Sequence, residues 1–203
     1  IEDVDGNCYK TVQIGNQLWM AENLKVTHYN NGDEILYHPN NESFWDKFYE
    51  GKYGFHASEN QPSCDGDCVA VYGNLYNWGA VIDSRGICPE DFHVPDYSEL
   101  KDLTGLSGSG YQYPYGGKLK EMGTVHWNEP NEGATNSSGF TALPGGYATN
   151  KTPERLGVWA CFWSSTSSSS GSAYSLELWN SSEDVAIFSR SRDGGRSVRC
   201  LKD

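Results

Sequence analysis

Apolar and polar residues alternate through Tyr9-Lys10-Thr11-Val12-Gln13-Ile14, and the pair Gly15-Asn16 separates this run from Gln17-Leu18-Trp19-Met20. A period of two on either side of a two-residue Gly-Asn break predicts a β-hairpin. From residue 27 to residue 70 the pattern gives way to turn formers, among them Asn30-Asn31-Gly32-Asp33 and Pro39-Asn40-Asn41, punctuated by Trp45, Phe48, Tyr49, Tyr53 and Phe55. Long loops pinned by aromatic side chains are predicted there, with a short helix over 43–49. Residues 72–82 mix large apolar with small side chains and predict a buried helix or packed segment.

The sharpest helix start is Pro95-Asp96-Tyr97-Ser98-Glu99-Leu100. Asp96 can cap, Glu99 can reach back to it, Leu100 and Leu103 share a face, and Gly105 ends the helix. A second short helix is predicted over 118–122, closed by Gly123. The last third holds Phe162-Trp163-Ser164-Ser165-Thr166 and strands over 173–179, 185–188 and 197–201, with polar turns at 167–170 and 180–182. The order of hairpin, long loops, two helices and a small antiparallel sheet gives an α+β class.

Composition narrows the picture. The chain has 203 residues, 23 Gly and 8 Pro, yet 37% hydrophobic and 13% aromatic residues, so a single loop-rich domain over 1–203 is expected rather than disorder. A net charge of −12 disfavours nucleic acid and anionic lipid as partners. No apolar run is long enough for direct membrane insertion, and Ile1-Glu2-Asp3-Val4 lacks the pattern of a signal peptide, which leaves a cytosolic chain or one whose leader has been removed. Six cysteines, an even number, favour an oxidising compartment, and Cys64-Asp65-Gly66-Asp67-Cys68 reads as a small disulfide loop.

Catalytic signatures are lacking. Gly116-Gly117-Lys118 looks like the end of a phosphate-binding loop, but Leu119 stands where a hydroxyl must reach magnesium and Gln112 stands where the first Gly belongs. His28, His38, His56 and His126 are scattered without zinc-protease spacing, and His93, between Phe92 and Val94, reads as a histidine satisfied by core hydrogen bonds. No enzyme is expected and no cofactor is required. Calcium is the one metal to weigh, because oxygen ligands cluster at Asp3 and Asp5 and again at Asp65 and Asp67, each short of a full shell.

The ordered segments carry a resemblance. Asp5-Gly6-Asn7, Val12-Gln13-Ile14-Gly15-Asn16-Gln17, Trp19-Met20-Ala21-Glu22-Asn23-Leu24, Tyr72-Gly73 with Leu75-Tyr76-Asn77-Trp78, Cys88-Pro89 with His93-Val94-Pro95, Gly139-Phe140 with Ala142-Leu143-Pro144-Gly145-Gly146, the Phe162 block and Ser197-Val198-Arg199-Cys200 span almost the whole chain. In order and spacing they resemble the Fibrobacter succinogenes major paralogous domain, a bacterial surface family assigned a C-type lectin-like fold. Glu90-Asp91-Phe92 and Leu100 depart from that pattern, and Cys8 and Cys161 are additions to it.

The resemblance implies that Cys88 bridges to Cys200 and that the first and last strands pair, with Cys8 and Cys161 then left to each other. Some members are variable proteins of diversity-generating retroelements, and residues 147–193 are rich in the Asn, Ser, Gly, Asp and Tyr that adenine-directed mutagenesis produces. The lectin sugar signature is tempting at Glu129-Pro130-Asn131, a loop that uses a cis proline in calcium lectins, with Trp179-Asn180-Ser181 as its nearest distant partner.

Tyr and Trp give contact area at low entropy cost, while Ser and Asn adapt their hydrogen bonds. Tyr147, Trp159, Tyr174 and Trp179 are therefore the aromatic candidates for a ligand face. Asn150, Ser167, Asn180, Ser182, Ser189, Ser191 and Asp193 are the polar ones, and Trp163 is assigned to the core. The expected function is an extracellular or cell-surface adhesion module, the C-terminal binding domain of a longer surface protein, whose partner is a protein or glycan on another surface. The alternatives are an oxidase resembling formylglycine-generating enzymes, with Cys161 and Cys200 holding copper, or a passive structural module.

Overall fold

The computed structural model describes residues 1–37, 51–54, 67–107, 110–112, 114–149 and 153–203. In chain order the elements are β1 (Thr11–Ile14), β2 (Gln17–Met20), β3 (Leu36–Tyr37), β4 (Lys52–Gly54), α1 (Cys68–Tyr72), β5 (Leu75–Tyr76), α2 (Trp78–Val81) and β6 (Phe92–His93). Then come α3 (Tyr97–Thr104), β7 (Gly110–Gln112), α4 (Gly116–Leu119), β8 (Tyr147–Ala148) and β9 (Pro153–Glu154). The longest strands follow, β10 (Trp159–Ser169), β11 (Ser172–Trp179) and β12 (Val185–Ser191), and β13 (Leu201–Lys202) closes the order. Short helices among small, mostly antiparallel sheets make the class α+β.

The first hairpin forms as its alternation predicts, with Ile14 opposite Gln17 and Gly15 at φ 57° in the turn. The last strand, β13, pairs with β2 and with β6, giving the order β1-β2-β13-β6. It is thus the second strand of the hairpin, and not the first, that meets the end of the chain. The Cys88–Cys200 disulfide is present, across 112 residues of sequence.

The second main sheet runs β10-β11-β12-β7, antiparallel throughout. Adjacent residues on a strand face opposite sides, and here the sheet divides two apolar cores. Phe162, Leu176, Leu178, Val185 and Ile187 pack with Trp19, Leu100, Leu103 and Phe140 on one side. Trp163 and Ala173 pack with Met20, Leu24, Tyr76, Trp78 and Val198 on the other. The neighbours Trp19 and Met20 are split in the same way. Trp163 is fully buried and its Nε1 donates to the Tyr76 carbonyl at 2.8 Å, in keeping with a scaffold role.

Residues 72–82 are a buried, packed segment, one of the two alternatives expected, and are divided among the end of α1, β5 and α2, since Asn77 starts α2 by accepting from the Ala80 amide. Several expectations change. The second predicted helix begins earlier, at Gly116, and stops at Leu119. A Cβ on Gly117 would lie 2.0 Å from the Gly133 carbonyl oxygen, so this tight helix needs glycine where the sequence pattern was silent. Lys120 turns extended to send its ammonium to the carbonyls of Glu132, Trp179 and Ser182, at 2.7, 2.9 and 2.9 Å.

Residues 167–169 belong to β10 instead of a turn, held by Arg192, whose Nη2 donates to Ser167 Oγ and to the Ser169 carbonyl. The segment 197–200 is extended but splits its bonds between Cys161 and Trp163 on one side and Met20 and Leu24 on the other. His93 is no core residue: its ring is 38% exposed and faces the carboxylates of Glu99 and Asp203. Cys8 and Cys161 are both free, one exposed and one buried, so the pair expected between them does not form. The predicted helix over 43–49, His38, His56, and the Cys64 and Asp65 part of the small loop lie outside the described residues; Cys68 is disulfide-bonded.

Candidate ligand-binding face

On the side of the β10–β12 sheet that carries Trp163 and Ala173, only one end is covered by core. The other end carries side chains of the same parity, Trp159 on β10 opposite Trp179 on β11, and Phe188 on β12 shares this face, opposite Ser175 and so level with Trp163. Trp159 lies directly opposite Trp179, with ring centroids 6.0 Å apart. Trp179 in turn is 6.3 Å from Phe188 and 5.8 Å from Tyr111 of β7, and Tyr111 sits edge-on to Phe188 at 5.2 Å. Tyr147 of β8 extends the band on the far side, 5.4 Å from Trp159. Five rings thus cross the strands as a continuous band, half-buried except for Tyr111, which is 65% exposed. Cross-strand aromatic contacts of this kind stabilise a sheet; rings left open to solvent also form the contact area that binding surfaces favour.

On the same face as the band, Glu177 is 1% exposed and takes two hydrogen bonds of 2.6 Å from Arg190, so its charge is met by a side chain of β12. Cys161, opposite Glu177 in register, is completely enclosed, and burial pushes its thiol far above the ordinary range. Its proposed copper partner Cys200 is in the disulfide with Cys88, so the pair Cys161 and Cys200 that an oxidase would use is not available. The end of β11 is clamped from behind by Lys120 on the Trp179 carbonyl, which fixes the backbone that presents the central ring.

Next to Tyr147 the band runs into a cleft of about 320 Å³ lined by Tyr147, Ala148, Thr149, Ser191, Asp193, Gly194 and Arg196. The cleft walls are tied together by paired backbone hydrogen bonds between Ala148 and Gly195 at 2.8 and 2.9 Å. Tyr147 therefore belongs to both features.

The candidates from sequence separate into three groups. Tyr147, Trp159 and Trp179 are in the band, and Ser191 and Asp193 line the cleft beside it. Tyr174 has the opposite parity to Trp179 and stacks on Tyr97 at 4.1 Å against the other core, so it leaves the face. Ser167 is bound by Arg192, and Ser189 by Ser168 at 2.6 Å. Ser182 Oγ accepts from the Asp184 amide at 3.0 Å, which makes it a turn residue. Asn180 is only 9% exposed and donates to the carbonyls of Asn128 and Glu129, so it is a structural pin rather than a binding residue. Asn150 lies outside the described residues.

Sequence reasoning missed Tyr111, Phe188, Thr149 and Arg196. Phe188 was within reach, since it alternates with Ala186 and Arg190 on a predicted strand. For Tyr111 no local signal says that β7 docks beside β12.

Of the carboxylates weighed for calcium, Asp3, Asp5 and Asp67 each take hydrogen bonds from protein donors, and Asp65 lies outside the described residues. Asp3 accepts from the amides of Asp5 and Asn7, the Asn7 side chain and, at 2.6 Å, Tyr9 Oη. Asp5 accepts from Thr27 and faces His28 Nδ1 at 2.6 Å, and Asp67 caps α1 on the Ala70 amide. Among the described residues no three His, Cys, Asp or Glu side chains gather as a metal group. The Glu129–Pro130 bond is cis, but Asn131 turns inward and donates to the carbonyls of Glu121 and Gly123. With Asn180 turned inward as well, the two amides of the sugar-signature loop serve the backbone.

Among the described residues no helix is long and apolar enough to cross a membrane. Comparison with curated proteins gives no match, and comparison with solved structures gives none either. The family model described as the Fibrobacter succinogenes major domain matches residues 12–202.

Proposed function

The chain belongs to the Fibrobacter succinogenes major domain family, a surface-associated family, and from that premise we propose that it is an extracellular ligand-binding module on a C-type lectin-like scaffold. Its binding surface is the band formed by Tyr111, Tyr147, Trp159, Trp179 and Phe188, and its partner is a glycan or protein on another surface. The observation that carries this reading is the band itself: five rings in contact across four strands and β8, four of them half-buried and Tyr111 exposed. A disulfide joining residues 88 and 200 suits the oxidising exterior. The module works by contact, with no catalytic step.

The test is a triple substitution, Tyr111→Ala, Trp159→Ala and Trp179→Ala, assayed on a printed panel of neutral and acidic oligosaccharides and on immobilised mucin. The variant should keep a cooperative thermal melt and lose binding by at least about tenfold, since aromatic anchors each contribute on the order of 1–2 kcal/mol or more. Undiminished binding by the folded variant rejects this face.

A further inference from the structure

Two arginines near the end of the chain are both buried, and their surroundings are opposite. Arg199, 1% exposed, donates to Asn23 Oδ1 and to the carbonyls of Met20, Phe140 and Thr141. Arg196, 7% exposed, has its Nε and Nη1 enclosed without a hydrogen-bond partner, and among the described residues no ion pair involves it. Glu177, the buried acid of the same region, is held by Arg190. Enclosing a cation without a counter-charge is costly, and native chains rarely leave such a group unmatched.

Arg196 lines the cleft beside Tyr147. The central carbon of its guanidinium lies 4.2 Å from the Trp163 ring centroid and 6.0 Å from that of Tyr147, so aromatic faces flank it. Its backbone is fixed by two hydrogen bonds with Tyr76, of 2.8 and 2.9 Å, so the group is pre-positioned. A Cβ on Gly194 would stand 2.9 Å both from Nη1 and from the Ala148 carbonyl oxygen, which shows how closely the chain passes the guanidinium.

We infer that this cleft binds the carboxylate of an acidic sugar, a uronate unit, which supplies the counter-charge that Arg196 lacks. The inference rests on the ligand-face reading, because Tyr147 is shared between band and cleft. An arginine fork matches a carboxylate with two parallel hydrogen bonds. The rim favours a sugar over an acidic peptide: Thr149 and Ser191 carry hydroxyls, and Asp193 is an acceptor that suits vicinal sugar hydroxyls. The Tyr147 ring offers a flat apolar wall for a pyranose.

Calorimetric titration of the 203-residue chain with tetragalacturonate, with its fully methyl-esterified form and with hexaglutamate tests this. Tetragalacturonate should bind, and the ester, which keeps the rings and removes the charge, should bind at least tenfold more weakly, as should hexaglutamate. Arg196→Met should weaken tetragalacturonate binding at least tenfold and should melt no lower than the parent. Equal affinity for acid and ester overturns the inference, as does no tetragalacturonate binding at millimolar concentration, and stronger binding of hexaglutamate transfers the cleft to an acidic peptide. If the aromatic triple variant loses panel binding while acid and ester bind alike, the ligand face stands and only the uronate assignment falls. If that variant binds the panel unchanged, the face itself is wrong.

Discussion

His93 shows how a residue's role depends on its partners. Its Nδ1 lies 2.6 Å from Asp203 Oδ1 and its Nε2 lies 3.0 Å from both oxygens of Glu99, so both nitrogens donate when the ring is charged. Burial pulls the imidazole down, but the hydrogen bonds to Glu99 and Asp203 outweigh it and the net shift is upward from 6.5. The group binds its proton more tightly when folded, so its contribution is complete below pH 6.5 and drains away as pH rises through the folded value. The melting temperature of the parent minus that of His93→Gln should therefore shrink between mildly acid and mildly alkaline pH, and a constant difference would remove the linkage. Nothing in Phe92-His93-Val94 announces these partners, since Asp203 reaches His93 only through the pairing of β13 with β6.

At the scale of elements, α3 was legible because its signals are local. Asp96 accepts from the Glu99 amide at 2.8 Å, Glu99 accepts from the Asp96 amide at 2.7 Å, and Gly105 ends the helix in the left-handed region. Asp96→Ala should destabilise the protein by about 0.5–2 kcal/mol in chemical denaturation. A loss below the error of the fit would mean that tertiary contacts alone hold the helix. His93 touches the same Glu99, so the cap is also braced from β6. By contrast α4 was misplaced, because its bounds follow from the contact of Gly117 with Gly133 and from the reach of Lys120, both non-local. Tyr174 and Trp179 illustrate the same limit on β11: their opposite parity was plain, but which parity faced a core was not.

The whole molecule is held by closures between distant parts of the chain. β13 enters between β2 and β6, and Cys88–Cys200 joins the loop before β6 to the residue before β13. Replacing both cysteines by serine should cost about 2–5 kcal/mol, as the bridge restrains a long loop in the unfolded chain. Equilibrium unfolding of the double variant reads this directly, and a negligible change would mean that sheet pairing alone secures the end of the chain. One sheet divides the two cores, and the aromatic band lies on one of its faces.

The sequence by itself determined the hairpin, the capped helix, the α+β class, the run of late strands and the family, because each depends on periodicity, turn chemistry or ordered motifs within short windows. It also marked Tyr147, Trp159 and Trp179 as members of a face. Tertiary structure alone decided that Tyr111 and Phe188 join them, that Tyr174 and Asn180 turn away, that Cys8 and Cys161 stay apart, and that Arg199 is fully bonded while Arg196 is not. The physical reason is that a side chain's partners are set by strand order and register across sheets, and these are fixed by contacts between segments far apart in the chain.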